Sequence, residues 1–76
     1  MREIPEGEKL KIGDIVIEAT PSGQDEHSVV YRISAFSAIT LDLNGKRRIY
    51  PVTYTKPYRN KYAKRNYLAR VFRYDK

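Results

Sequence analysis

The sequence lacks several residues and patterns on which common functions depend. It contains no cysteine, no tryptophan and a single histidine among 76 residues. Without cysteine the chain can form neither a disulfide nor a thiolate zinc site, and it offers no cysteine nucleophile. It also has no phosphate-binding P-loop, no dinucleotide-binding glycine pattern and no serine nucleophile elbow. These absences predict a protein that is not an enzyme and needs no cofactor.

Long apolar runs are missing as well. No segment approaches the 18 or more apolar residues of a membrane span, and "MREIPEGEKLKIGD" has no apolar core of the kind found in signal peptides. The basic segment near the C-terminus lacks the leucine and tryptophan face of an interfacial helix, so we expect no membrane partner. The absence of cysteine agrees with a reducing compartment. Together these features predict a soluble, cytoplasmic protein.

The single histidine, His27, follows two acids in a polar loop. It could act as a general base or a metal ligand, but we favour an exposed histidine at the end of a loop or the start of a strand. The other possible ligands are carboxylates, and their spacing matches no metal-binding loop. They are Asp14, Glu18, Asp25, Glu26 and Asp42. We therefore predict neither a catalytic nor a metal site.

The apolar residues that are present favour strands over helices. Seven isoleucines and five valines outnumber four leucines three to one, and β-branched residues fit a pleated sheet better than a helix. A chain of this length buries about 60% of the surface that its unfolded form exposes, which allows one compact core. The composition predicts a single small β-rich binding domain over residues 1–76.

Two segments alternate with the period of a half-buried strand. In "GDIVIEA", Ile15 and Ile17 share one face and Val16 shares the other with two acids. In "HSVVYRISAF", Val29 and Tyr31 are expected on one face, and Val30 and Arg32 on the other. The stretch between them, "TPSGQDE", collects turn-forming residues and predicts a mobile loop.

A hairpin is predicted after the third strand, "AITLDL", because Asn44 and Gly45 follow it. A two-residue loop would set Leu41 opposite Arg48. A three-residue loop with Gly45 in the left-handed conformation instead sets Ile39 opposite Ile49, and we favour this register. The other expected pairs are Asp42 with Lys46 and Thr40 with Arg48.

The remainder of the chain contains breaking signals. Pro51 predicts that the fourth strand, "RRIYPVTY", lies at a sheet edge or contains a bulge. In "TKPYRNKYAKRNY", Thr55 can cap a helix that has Pro57 in its first turn, so we expect a short helical turn near residues 56–66. The tail "NYLARVFRY" fits either more helix or a closing strand. We favour the strand because valine and phenylalanine are better strand residues.

Four to five short strands predict a small, strongly bent antiparallel sheet or barrel. The stretch "LKIGDIVIEA", followed by a polar loop and a second long alternating strand, resembles the opening of SH3-like small barrels such as the KOW and Tudor types. The resemblance covers residues 10–36. It implies an SH3-like barrel and an interaction module that binds RNA, DNA or protein.

Charge is distributed unevenly along the chain. Residues 1–44 contain four Lys or Arg and eight Asp or Glu, whereas residues 45–76 contain eleven Lys or Arg and one Asp, and the net charge is +6. Six of the seven tyrosines lie in the basic half. Basic side chains neutralise phosphates and release counterions, and tyrosine rings stack on unpaired bases. This combination predicts nucleic-acid binding.

From the sequence we expect a non-enzymatic module that binds nucleic acid. Whether the nucleic acid is single-stranded or duplex stays open. Phosphate contacts are assigned to Arg47, Arg48, Arg59, Lys61, Lys64 and Arg65. Stacking is assigned to Tyr54, Tyr58 and Tyr62. Two plainer interpretations stay open, in which the tyrosines are core residues and the charge is a solvated face. The alternative function is a small protein-binding accessory or inhibitory protein, for example of viral origin, that docks on an acidic partner surface.

Overall fold

The structure, a computed structural model, describes residues 1–61 and 68–74. Six strands in this part of the chain form one antiparallel sheet, in the spatial order β1-β6-β2-β3-β4-β5. The strands are β1 (Arg2–Glu3), β2 (Ile15–Glu18), β3 (Glu26–Ile33), β4 (Ser37–Asp42), β5 (Arg47–Pro51) and β6 (Ala69–Arg73). The prediction of a mainly β, antiparallel fold is confirmed.

One face of the sheet, called here the inner face, packs into the core. Its strand residues alternate with outward-pointing ones, as the period of two requires. The buried apolar residues are Ile4, Leu10, Val16, Val30, Ala38, Tyr50, Val52, Tyr54, Tyr58, Ala69 and Val71. Three of the largest are tyrosines, so aromatic rings fill much of the volume that leucine fills in a typical small domain.

The buried face of β2 is the opposite of the one its isoleucines suggest. Val16 is fully buried, and Asp14 and Glu18 share its face. Ile15 and Ile17 lie half-buried on the other side, called here the outer face. The acids can occupy the interior because each binds an arginine, and paired charges tolerate burial where isolated ones do not.

The predicted hairpin register is confirmed. Gly45 has a φ of +79°, and its N–H donates to the Asp42 carbonyl over 3.1 Å. The Asp42 N–H donates to the Lys46 carbonyl over 3.0 Å. Ile39 pairs with Ile49, and Thr40 pairs with Arg48. The three-residue loop thus keeps the apolar residues of β4 and β5 together.

β5 is an edge strand, as Pro51 predicted. Residues 56–61 contain no helix, so the described part of the segment does not show the expected helical turn, and residues 62–66 lie outside the described residues. The tail forms the expected strand, but β6 lies between β1 and β2. It therefore does not close the sheet.

The predicted SH3-like barrel is not confirmed, because the six strands form an open sheet. The N-terminal segment approaches the end of β5 through an isolated bridge between Lys9 and Thr53. Backbone hydrogen bonds from Leu10 to Val52 and from Tyr54 to Glu8, each 2.8 Å, flank that bridge. No helix in the described part of the chain is long and apolar enough to cross a membrane.

Candidate nucleic-acid interface

Tyr54 and Tyr58, which follow β5, are core residues. Tyr54 and Tyr58 are 0% and 1% exposed, and their ring centroids lie 5.1 Å apart in an edge-on arrangement. Tyr58 also stacks on Tyr50, and its hydroxyl donates to the Pro51 carbonyl. Burial raises the pKa of the Tyr50 and Tyr58 hydroxyls. Rings without exposed surface cannot stack on a base, which corrects the role predicted for Tyr54 and Tyr58.

Arg48 is buried in an ionic cluster on the inner face. Its guanidinium contacts three carboxylates: Glu18 at 3.2 Å, Asp42 at 2.9 Å, and Glu26. We call these four residues the Arg48 cluster. With 3% of its surface exposed, Arg48 cannot reach a phosphate unless the cluster opens. The phosphate contact predicted for Arg48 is therefore replaced by a structural role.

The pKa values of Asp42 and Glu18 in the Arg48 cluster shift in opposite directions. Hydrogen bonding from the Lys46 backbone N–H, and further bonds from Arg48 and Asn44, lower the pKa of Asp42. Burial raises the pKa of Glu18, even though the Arg48 charge acts in the opposite direction. One oxygen of Glu18 is also buried without a hydrogen-bond partner. Burial thus disfavours the ionised form of Glu18, whereas hydrogen bonds favour the ionised form of Asp42.

Arg47, the other arginine of β5, points to the opposite face of the sheet from Arg48. Arg47 precedes Arg48, so the alternation of the strand places it on the outer face, where it is exposed and pairs with Leu41. Arg47 therefore exposes its positive charge to solvent from a position within β5. The sequence prediction that assigned Arg47 to phosphate contacts is compatible with its placement.

Lys61 reaches the same face from the edge of β5 that does not pair with β4. Its backbone N–H donates to the Ile49 carbonyl over 2.8 Å, so the chain runs along that edge. Its ammonium group lies 3.1 Å from the hydroxyl of Ser37 on β4. The side chain therefore crosses β5 on the outer side and places a second cation there. Arg59 is also exposed, just before this point.

A β-bulge supplies a feature that the sequence did not predict. Val30 pairs with Thr40, and the next pair joins Arg32 to Ile39, so Tyr31 is the extra residue. In a bulge, two residues of one strand oppose a single residue of the other. Tyr31 and Arg32 thus both lie opposite Ile39 on the outer face, and Tyr31 is 41% exposed.

Strict alternation had separated Tyr31 from Arg32, and that interpretation was wrong. It also placed Arg32 on the same face as the buried Val30, six residues and about 20 Å along the strand from Glu26, the acid of β3. A charged residue on a face that must be buried is a conflict that a bulge resolves. This conflict was the available signal in the sequence.

These residues form a continuous surface, which we name the outer β3–β5 face. It consists of Val29, Tyr31, Arg32, Ser37, Ile39, Leu41, Arg47, Ile49 and the Lys61 side chain. Strands β3–β5 contain two acids, Glu26 and Asp42, and both bind Arg48 at the inner face. The outer β3–β5 face therefore contains three cations, an exposed tyrosine and no carboxylate from its own strands.

The other sequence candidates are placed as follows. Tyr62, Lys64 and Arg65 lie outside the described residues. His27 is exposed on β3 and pairs with Ile17 of β2. Among residues 1–61 and 68–74, no group of three or more His, Cys, Asp or Glu side chains is arranged to hold a metal ion.

Comparison of the chain with protein-family models, with curated proteins and with solved structures finds no match. The function therefore has to be inferred from the geometry and charge of this chain alone. The outer β3–β5 face is the described surface on which cations, an exposed aromatic ring and the absence of acids coincide.

Proposed function

We propose that the protein is a non-enzymatic nucleic-acid-binding module and that it binds through the outer β3–β5 face. The observation that carries this proposal is that Arg32, Arg47 and the Lys61 side chain lie on the same face of the sheet as the exposed Tyr31, whereas the acids of β3–β5 bind Arg48 at the inner face. Cations without neighbouring carboxylates are available to neutralise phosphates. Tyr31 takes the stacking role that the buried tyrosines cannot fill.

The spacing of the cations suits an extended polyanion. Arg32 lies on β3 and Arg47 on β5, two strands away, which corresponds to about 10 Å across the sheet. Two cations at that separation can bind different phosphates of one strand. Arg59 is exposed close to Lys61 and extends the basic surface. Tyr62, Lys64 and Arg65 follow directly in sequence, and we retain them as proposed contributors.

A second candidate function is protein binding by an accessory or inhibitory protein. Val29 and Leu41 are paired across β3 and β4 on the outer β3–β5 face and are 45% and 40% exposed. Exposed apolar residues bordered by arginine and tyrosine are typical of protein interfaces. An acidic partner surface would fit the cations equally well. Charge therefore does not separate the two candidates, whereas oligonucleotide binding does.

The salt dependence of oligonucleotide binding tests the proposal. Three phosphate contacts predict that log K falls with log salt at a slope of about −2 to −3, at roughly 0.7–0.9 per contact. Replacing Arg32, Arg47 and Lys61 together with alanine should flatten the slope by about 2 to 3, and the slope that remains reports the contribution of Arg59, Lys64 and Arg65. Lys9→Ala is the control, because Lys9 pairs with Thr53 beyond the end of β5. It should retain most of the slope.

Two results would contradict nucleic-acid binding at this face. If the wild-type protein binds no oligonucleotide at low salt, the protein-binding candidate is favoured. If the triple variant keeps the wild-type slope, nucleic acid binds elsewhere on the chain.

A further inference from the structure

We infer that the outer β3–β5 face selects single-stranded over duplex nucleic acid, with Tyr31 stacked on an unpaired base. This inference rests on the proposed function and adds the form of the polymer. It follows from three properties of the surface: the apolar residues between its cations, the side-by-side placement of a ring and a guanidinium, and its width.

The cations are separated by apolar side chains. Val29 pairs with Leu41, which pairs with Arg47, and Ile39 pairs with both Arg32 and Ile49. A duplex presents phosphates and groove edges to such a surface, because its bases are already stacked inside. Its binding would therefore leave these apolar side chains against charged groups. A single strand presents base faces that cover them.

The bulge places an aromatic ring and a guanidinium next to each other on the outer β3–β5 face. Tyr31 and Arg32 are consecutive, yet both oppose Ile39, so the exposed ring lies beside an exposed guanidinium. In a single strand each base is joined through its sugar to a phosphate, so a base and a phosphate repeat together along the chain. A ring for the base and a cation for its phosphate match that repeating unit. A regular strand would have placed the two side chains on opposite faces.

The width of the surface disfavours entry into a duplex groove. The major groove is about 12 Å wide and admits one helix or a two-stranded ribbon. Three strands at about 4.8 Å spacing, with the Lys61 segment along the edge of β5, span roughly 15 Å before side chains are counted. Residues 1–61 and 68–74 contain no helix that could enter the groove instead.

The test compares one labelled DNA oligonucleotide of mixed sequence, without self-complementarity, as a single strand and annealed to its complement. Fluorescence anisotropy of the wild-type protein should give at least about tenfold tighter binding to the single strand. Tyr31→Leu should weaken single-strand binding by about 5- to 150-fold, corresponding to the loss of one base stack. Its duplex binding should change little.

Two control variants separate stacking from other effects. Tyr31→Phe keeps the ring and should keep single-strand affinity within about twofold. Tyr74→Leu removes an exposed tyrosine that follows β6, and it should leave the affinity unchanged. Thermal melting of each variant shows whether it is folded at the temperature of the titration.

Each outcome of the comparison has a distinct meaning. Equal or tighter binding to the duplex would overturn the inference and leave nucleic-acid binding in place. An equal loss on both forms for Tyr31→Leu would also overturn it, because stacking requires unpaired bases. No binding to either form would refute the proposed function itself, and the inference with it.

Discussion

Arg47 and Arg48 are neighbours in the sequence but lie on opposite faces of β5. Arg47 is exposed on the outer β3–β5 face, whereas Arg48 is 3% exposed and contacts three carboxylates of the Arg48 cluster. Sequence composition gives the two residues the same weight as phosphate ligands. The pleat of the strand gives them different surroundings, one exposed to solvent and one buried among carboxylates.

This difference predicts opposite effects of the same substitution. Arg48→Ala should destabilise the fold by about 3–5 kcal/mol, because it leaves Glu18 and Asp42 without their buried cation. Arg47→Ala should change stability by less than about 0.5 kcal/mol and weaken oligonucleotide binding instead. Urea unfolding and anisotropy titrations of the two variants check the pair. Equal stability of Arg48→Ala and the wild type would show that the Arg48 cluster does not form.

The stacked tyrosines predict a stability effect without a binding effect. Tyr58→Leu removes the stack on Tyr50 and the hydrogen bond to Pro51, and we expect a loss of about 2–3 kcal/mol. Affinity per folded molecule should be unchanged. Tyr74→Leu, at a position that is 70% exposed, is the control and should melt like the wild type. A Tyr58→Leu variant that is fully stable but binds nucleic acid poorly would restore the original stacking hypothesis.

The β4–β5 hairpin predicts a backbone effect at one position of its loop. Gly45→Val forces a β-branched residue to a φ of +79°, which should cost about 1–2 kcal/mol. Nothing lies within 4 Å of the added Cβ position, so the cost is conformational and not steric. Asn44, in the same loop, does not have a positive φ, so Asn44→Val should lower the stability by less than Gly45→Val. Equal melting temperatures for the two variants would contradict the loop geometry.

The raised pKa of Glu18 predicts a stability difference that depends on pH. Because the folded state binds this proton more tightly than the unfolded state, the contribution of Glu18 is fully present below pH 4.5 and declines as pH rises through the folded pKa. Glu18→Gln cannot titrate, so its stability relative to the wild type should increase from pH 4 to pH 7. Urea midpoints at both pH values measure this. A relative stability that decreases with pH would show that Arg48 outweighs burial.

The sequence predicted those parts of the fold that depend on local signals. The β4–β5 hairpin could be placed to the residue, because Gly45 and the pairing of Ile39 with Ile49 allow one consistent register. The edge position of β5 followed from Pro51, which lacks an N–H to donate to a further strand. These features depend on the conformational limits of single residues.

The features that the sequence did not predict depend on contacts between residues far apart in the chain. The buried face of β2 could not be predicted, because Asp14 and Glu18 become tolerable inside only when Arg73 and Arg48 arrive from other strands. Likewise, four-residue spacing does not reveal that Tyr54 and Tyr58 meet Tyr50 in the core. Of the residues on the outer β3–β5 face, the sequence predicted Arg47 and Lys61 as site residues but not Tyr31 and Arg32, whose placement depends on the bulge.

An NMR titration of the ¹⁵N-labelled protein with a single-stranded oligonucleotide at low salt tests binding at the outer β3–β5 face most directly. If the outer β3–β5 face binds, amide shift changes should be concentrated in β3, β4, β5 and residues 60–61. The largest changes should surround Tyr31 and Arg32. Changes concentrated in the N-terminal segment 4–14, or spectra that the oligonucleotide does not alter, would contradict binding at this face.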